Sequence, residues 1–70
     1  MMEQENPLRF IVTKNGEYLV SVPYSDTLFV RWSYSKFDAA RFWRRSTAVK
    51  VANRVGGRVL EFNTLTGVVS

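Results

Sequence analysis

The chain has 70 residues, which is the length of one small domain that buries only about 60% of its unfolded surface. Its 46% hydrophobic and 14% aromatic content excludes a disordered chain, and no apolar stretch approaches the roughly 20 residues of a membrane span. It lacks cysteine and histidine, which excludes thiol chemistry, disulfides and the commonest general base, while its net charge of +4 favours acidic partners.

The first half of the chain predicts a β-hairpin. Apolar residues alternate from Leu8 onward, as in a half-buried strand. Asn15-Gly16 then predicts a two-residue type I′ turn, which needs positive φ at both positions. A second strand is expected over residues 17–22. Pro23 follows it and ends the hydrogen-bond ladder, because proline has no N–H to donate.

The turn also fixes the register of the predicted hairpin. Apolar side chains then fall on both faces, so either both faces are covered or one is an exposed binding surface. The predicted pairs are Lys14 with Glu17, Thr13 with Tyr18, Val12 with Leu19, and Ile11 with Val20.

The middle of the chain predicts a third strand and a helical turn. The strand is expected over residues 28–34, after a polar turn cluster. Ser35 and Asp38 have the spacing of a capping arrangement, which predicts one or two helical turns over residues 38–43.

An amphipathic helix is expected next. Ser46 is a second candidate N-cap, so residues 36–55 form one helix or two, and the Ser46-Thr47 pair favours two. Gly56-Gly57 predicts the helix end, with the first glycine in the left-handed C′ position. The apolar stripe of this helix falls at i, i+3, i+4 and i+7, on Ala48, Val51, Ala52 and Val55.

A last strand over Arg58–Asn63 completes the order β-β-β-α-β. This order predicts an α+β fold: a three- to four-stranded antiparallel sheet with one or two short helices packed on one face. We expect residues 1–7 to form a flexible N-terminal tail, residues 8–63 the single domain, and residues 64–70 a C-terminal tail or a short edge strand at Val68-Val69.

The acidic residues outside the tail have structural explanations. Glu17 ends the hairpin, Asp26 belongs to a turn, Asp38 begins a helix, and Glu61 is a lone strand acid opposite a basic helix. No serine has a histidine or a suitably spaced lysine as a base, and no glycines form a phosphate-binding loop. We therefore predict a protein that is not an enzyme and needs no cofactor and no metal.

Positive charge is concentrated between residues 31 and 58. This window carries +7 with Asp38 as its one acid, and the rest of the chain carries −3. Arginine outnumbers lysine, and arginine binds phosphate bidentately and stacks on rings. The cations of the window are Arg31, Lys36, Arg41, Arg44, Arg45, Lys50, Arg54 and Arg58.

Aromatic residues are interleaved with these cations, as is typical of nucleic-acid surfaces. Phe42 and Trp43 would point about 100° apart on a helix, so either both lie in the core or one is an exposed contact residue. The alternative interpretation of the cations is a solvated helix face; insertion into a membrane surface is disfavoured because the apolar stripe is mostly Ala and Val. The predicted contact residues are Arg41, Arg44, Arg45, Lys50 and Arg54, with Trp43 as the exposed aromatic.

The order of short motifs in the second half carries a resemblance. Trp32 is followed by Asp38-Ala39-Ala40-Arg41-Phe42, Ser46-Thr47-Ala48, Val51-Ala52 and Val55-Gly56-Gly57. This order, after a hairpin, resembles small uncharacterised phage and prophage accessory proteins, a class that includes some anti-CRISPR inhibitors.

The polar start of the chain and its lack of a membrane span predict a cytoplasmic protein, in the host cell if the chain is phage-encoded, that is monomeric or homodimeric and has no membrane partner. The resemblance implies a phage-type accessory protein. It would bind and inhibit a host protein or nucleoprotein complex, of the defence or CRISPR type, through its basic helical face. The basic charge departs from that of acidic, DNA-mimicking inhibitors. The alternative is a protein that binds nucleic acid directly with the same basic and aromatic surface.

Overall fold

The computed structural model describes residues 6–20 and 30–70. The elements are β1 (Leu8–Lys14), β2 (Glu17–Leu19), β3 (Trp32–Ser33), a 3₁₀ helix (Lys36–Asp38), α1 (Arg45–Val55) and β4 (Arg58–Asn63). Within the described residues the strands form one antiparallel sheet in the order β3-β2-β1-β4, which confirms the predicted α+β class and the β-β-β-α-β order.

The β1–β2 hairpin forms around the predicted turn. Asn15 and Gly16 have φ values of 53° and 81°, the two positive angles of a type I′ turn. The ladder contains the predicted pairs Thr13–Tyr18 and Lys14–Glu17 and ends there. The predicted Val12–Leu19 pair is absent, because Leu19 pairs with Trp32 and its carbonyl accepts from the Ala40 N–H. The rest of the expected second strand lies partly outside the described residues, as does the start of the expected third strand.

The extended segment 40–42, which precedes α1, pairs with the part of β1 that extends past β2. The backbones of Phe42 and Phe10 exchange two hydrogen bonds of 2.9 Å, and the Ala40 N–H donates to the Leu19 carbonyl at 2.8 Å. The helical turn predicted over residues 38–43 is therefore wrong. Backbone groups at a sheet edge need partners, and the extended segment supplies them while burying the Phe42 ring.

Residues 36–55 form two separate helices. The first is only the 3₁₀ turn, capped by the predicted Ser35, whose Oγ accepts from the Phe37 N–H at 3.3 Å. The second, α1, begins at Arg45 with Arg44 in the N-cap position. The prediction of Ser46 as its N-cap is wrong, because the extended segment sets the start of α1 two residues earlier.

The end of α1 and its buried stripe follow the prediction. Gly56 has a φ of 76°, and the Gly57 N–H donates to the Ala52 carbonyl at 2.8 Å, as in a Schellman motif. Ala48 and Ala52 are buried, which brings the helix backbone close to the sheet. No helix in the described ranges is long and apolar enough to cross a membrane.

Both faces of the sheet are covered at its centre. Ile11 and Val12 are neighbours in β1 that point to opposite faces, and both are 0% exposed. Val12 lies in the core under α1, with Leu19, Phe42, Ala48 and Ala52. Ile11 lies in a second cluster on the other face, with Ala39 and Phe62.

The C-terminal residues lie along the outer edge of β4. Glu61 and Ser70 exchange two backbone hydrogen bonds of 2.8 and 2.9 Å, and Val69 forms a bridge to Phe62. The Pro7 carbonyl accepts from the Thr64 N–H at 2.9 Å, which joins the start of β1 to the turn after β4. These contacts attach both ends of the described chain to β4 and the turn that follows it.

Candidate functional site

The six predicted contact residues do not share one surface. The Phe10–Phe42 bridge places Trp43 opposite Arg9 and Arg41 opposite Ile11, and side chains alternate along extended backbone. Arg41 and Trp43 therefore lie on the sheet face opposite α1. Lys50 and Arg54 lie on α1 itself, beside a shallow groove also lined by Thr47 and Val51.

The exposed Trp43 stacks against an arginine from β1. The guanidinium carbon of Arg9 lies 3.5 Å from the centroid of the Trp43 ring. Arg9 Nη1 donates to the carbonyls of Asn6 at 2.6 Å and Leu8 at 2.8 Å, which fixes the guanidinium. Trp43 is nevertheless 70% exposed, so its ring is held by a cation while most of its surface is in solvent.

Phe62 lies at the centre of the same face. The Arg41 guanidinium carbon is 5.0 Å from the centroid of its ring, and the Phe37 ring meets it edge-on at 6.2 Å and 75°. Lys36 Nζ lies 5.5 Å from the Phe37 centroid. Phe62 is buried, whereas Phe37 is 63% exposed. We call this surface the arginine–aromatic face; it consists of Arg9, Lys36, Phe37, Arg41, Trp43 and Phe62.

Arg45 has a different environment. Its guanidinium lies 5.0 Å from the Phe10 ring centroid, and Nη2 is 3.5 Å from Glu61 Oε2. The prediction that Glu61 faces the basic helix is thus confirmed. Arg45 joins the start of α1 to the sheet, so it is engaged within the fold. Arg44 is exposed at the N-cap and makes no side-chain capping hydrogen bond.

The arginine–aromatic face is strongly cationic. Arg45–Glu61 is the one ion pair among residues 6–20 and 30–70. Asp38, the acid nearest in sequence to Lys36, accepts a hydrogen bond from Ser33 Oγ at 3.1 Å. Among the described residues, Arg9 and Arg41 therefore lie against rings and form no ion pair with a carboxylate, so their charge can act on an external anion.

The structure decides between the two interpretations of the adjacent aromatics. Phe42 is 8% exposed and belongs to the core, and Trp43 is exposed as predicted. Of the residues of this face, the sequence predicted only Arg41 and Trp43 as contacts; it missed Arg9, Lys36, Phe37 and Phe62. The alternation of β1 could have placed Arg9 beside Ile11, but no local signal showed that Trp43 would be its cross-strand neighbour.

The described part of the chain contains no group of histidine, cysteine, aspartate or glutamate residues placed to hold a metal ion. Comparison of the chain with protein-family models, with curated proteins and with solved structures finds no match.

Proposed function

We propose that this protein binds nucleic acid without catalysing a reaction, and that the arginine–aromatic face is its contact surface. The observation that carries the proposal is the exposed Trp43 ring, 3.5 Å from the Arg9 guanidinium, on the same face as Arg41, whose guanidinium lies 5.0 Å from the Phe62 ring centroid. Arginine–phosphate contacts supply affinity, and aromatic rings offer platforms for bases. Both are present on one face of the sheet.

Electrostatics support a polyanionic partner. The chain carries +4 overall, and its described acids are Glu17, Asp38 and Glu61, two of which already hold polar or ionic partners. A protein that neutralises phosphates releases counterions, so its affinity falls with salt by a slope of about 0.7 per phosphate contact on single strands. Binding should therefore be strongly dependent on salt.

The experiment is a titration of labelled DNA and RNA oligonucleotides, at several salt concentrations, with two double variants of matched charge. Arg9→Gln/Arg41→Gln removes two charges from the arginine–aromatic face, and Lys50→Gln/Arg54→Gln removes two from α1. The first variant should weaken binding and lower the salt slope by about 1.4. The second should retain most of the affinity, because its charges lie on another surface.

Circular dichroism and thermal unfolding of both variants provide the control for folding. All four side chains are at least partly exposed, so neither variant should lose its fold. An equal loss of affinity in both variants would mean that net charge alone drives binding. The absence of binding at physiological salt would refute the proposal.

The prediction of a phage-type accessory protein that inhibits a host complex stays a prediction. If that interpretation holds, the nucleic acid of a host nucleoprotein complex is the partner that this face fits. The cations of the predicted basic helical face lie partly on α1 and partly on the opposite side of the sheet.

A further inference from the structure

Trp43 and Phe37 are the two exposed rings of the arginine–aromatic face. They are 70% and 63% exposed, so most of the surface of each ring lies in solvent. Each is held in place on one side: Trp43 by Arg9, and Phe37 by its edge-on contact with Phe62. Both rings therefore present solvent-facing surface without needing to reorganise.

Cations lie between and beside these rings. Trp43, Arg9 and Phe62 are successive cross-strand neighbours, so the backbone of Trp43 lies about 10 Å from that of Phe62. Phe37 packs on Phe62 at 6.2 Å, and Arg41 approaches the same ring. The face thus presents a ring, then guanidinium groups, then a second ring.

This alternation of rings and guanidinium groups matches the chemistry of single-stranded nucleic acid. A single strand alternates bases, which stack on rings, with phosphates, which pair with guanidinium groups. In a duplex the bases already stack on one another and cannot reach a flat ring on a protein surface. A protein that bound only phosphates would gain nothing from two exposed rings.

Resting on the proposed function, we infer that the ligand is single-stranded nucleic acid and that unpaired bases stack on Trp43 and Phe37. Arg9 and Arg41 hold the phosphates between the two stacked positions. Trp43 provides the stronger of the two platforms because it is the larger ring and its position is fixed by a hydrogen-bonded arginine.

The test compares three ligands of equal phosphate number at one salt concentration: a single-stranded oligothymidylate, the same strand with abasic sites throughout, and a duplex. Binding is measured by anisotropy of a terminal label, and tryptophan emission is recorded in parallel. The base-containing single strand should bind tightest and should quench the emission. The quenching should disappear in Trp43→Phe, which retains the partly buried Trp32 as an internal reference.

Substitutions that remove the rings provide the second arm. Trp43→Leu should lower the affinity for the single strand by about 5- to 150-fold, and Phe37→Leu should lower it in the same direction. Neither should change the affinity for the abasic strand. Tyr34→Leu is the matched control, because Tyr34 is an exposed aromatic, 80% accessible, outside the arginine–aromatic face. It should leave binding unchanged.

The outcomes separate this inference from the proposed function. Equal binding of all three ligands that still depends on Arg9 and Arg41 would refute base stacking and leave nucleic-acid binding intact. An effect of Trp43→Leu no larger than that of Tyr34→Leu would refute it as well. If none of the ligands binds at physiological salt, both proposals fail.

Discussion

Replacing Gly57 with alanine should destabilise the fold through a steric clash. A Cβ atom at this position would lie 2.7 Å from the Thr13 carbonyl oxygen and 3.0 Å from Val12 Cγ1. The first contact is with backbone in the central strand, which pairs with β4 at this point and cannot rotate away. Overpacking of this kind costs about 1–3 kcal/mol. In a domain of this size that lowers Tm by roughly 4–24 °C.

Gly16 provides the control because its constraint is of another kind. Nothing lies within 4 Å of a Cβ built on Gly16, but its φ is +81°. Alanine there incurs only the left-handed strain, which asparagine relieves because its side chain tolerates that region. Gly16→Asn should therefore be more stable than Gly16→Ala, whereas Gly57→Asn should be no more stable than Gly57→Ala.

The measurement is thermal and urea unfolding of the four single variants, followed by circular dichroism. Two results would refute the reasoning. One is an alanine variant at Gly57 within about 0.5 kcal/mol of the parent protein, below the range expected of a clash. The other is a Gly57→Asn variant that is more stable than Gly57→Ala. That result would mean that the backbone conformation at this position, and not the steric contact, destabilises the alanine variant.

Three further predictions concern stability. Arg44→Ser should raise the unfolding free energy by about 1 kcal/mol because it supplies the missing N-cap of α1, and an unchanged Tm would contradict this. Glu61→Gln should cost less than about 1 kcal/mol in urea unfolding, because its pair with Arg45 is long and partly exposed; a larger loss would mean that the pair is essential. Phe62→Ala should cost about 3–5 kcal/mol, visible as a lower urea midpoint, because the ring is 1% exposed and supports Phe37 and Arg41; a loss under 1 kcal/mol would contradict its central place.

The features predicted correctly are those decided by neighbouring residues. The hairpin depends on the backbone freedom of Asn15-Gly16, and the end of α1 depends on the left-handed Gly56. The bounds of β4 follow from its apolar pattern, which is interrupted at both ends by polar residues.

The features predicted wrongly depend on distant parts of the chain. The Asp38–Trp43 stretch favours a helical turn locally. Phe10, which is 42 − 10 = 32 positions before Phe42, instead provides backbone partners for Phe42 that hold this stretch extended. The candidate site also depends on residues that are distant in the chain. The exposure of Trp43 was predicted from helical geometry that the chain does not adopt there, while its partner Arg9 belongs to a strand outside the basic window.

The sheet order has a consequence for how the protein is made. The central strand β1 is synthesised early, yet its longest ladder is with β4, whose Asn63 pairs with Leu8 across 63 − 8 = 55 positions. Ile11 and Val12 can be buried only after α1, β4 and the residues between them have left the ribosome. Until β4 has emerged, the nascent hairpin presents apolar side chains on both faces. A chain that stops before β4 lacks the strand that forms the longest ladder with β1, so the described fold is completed only after β4 is synthesised.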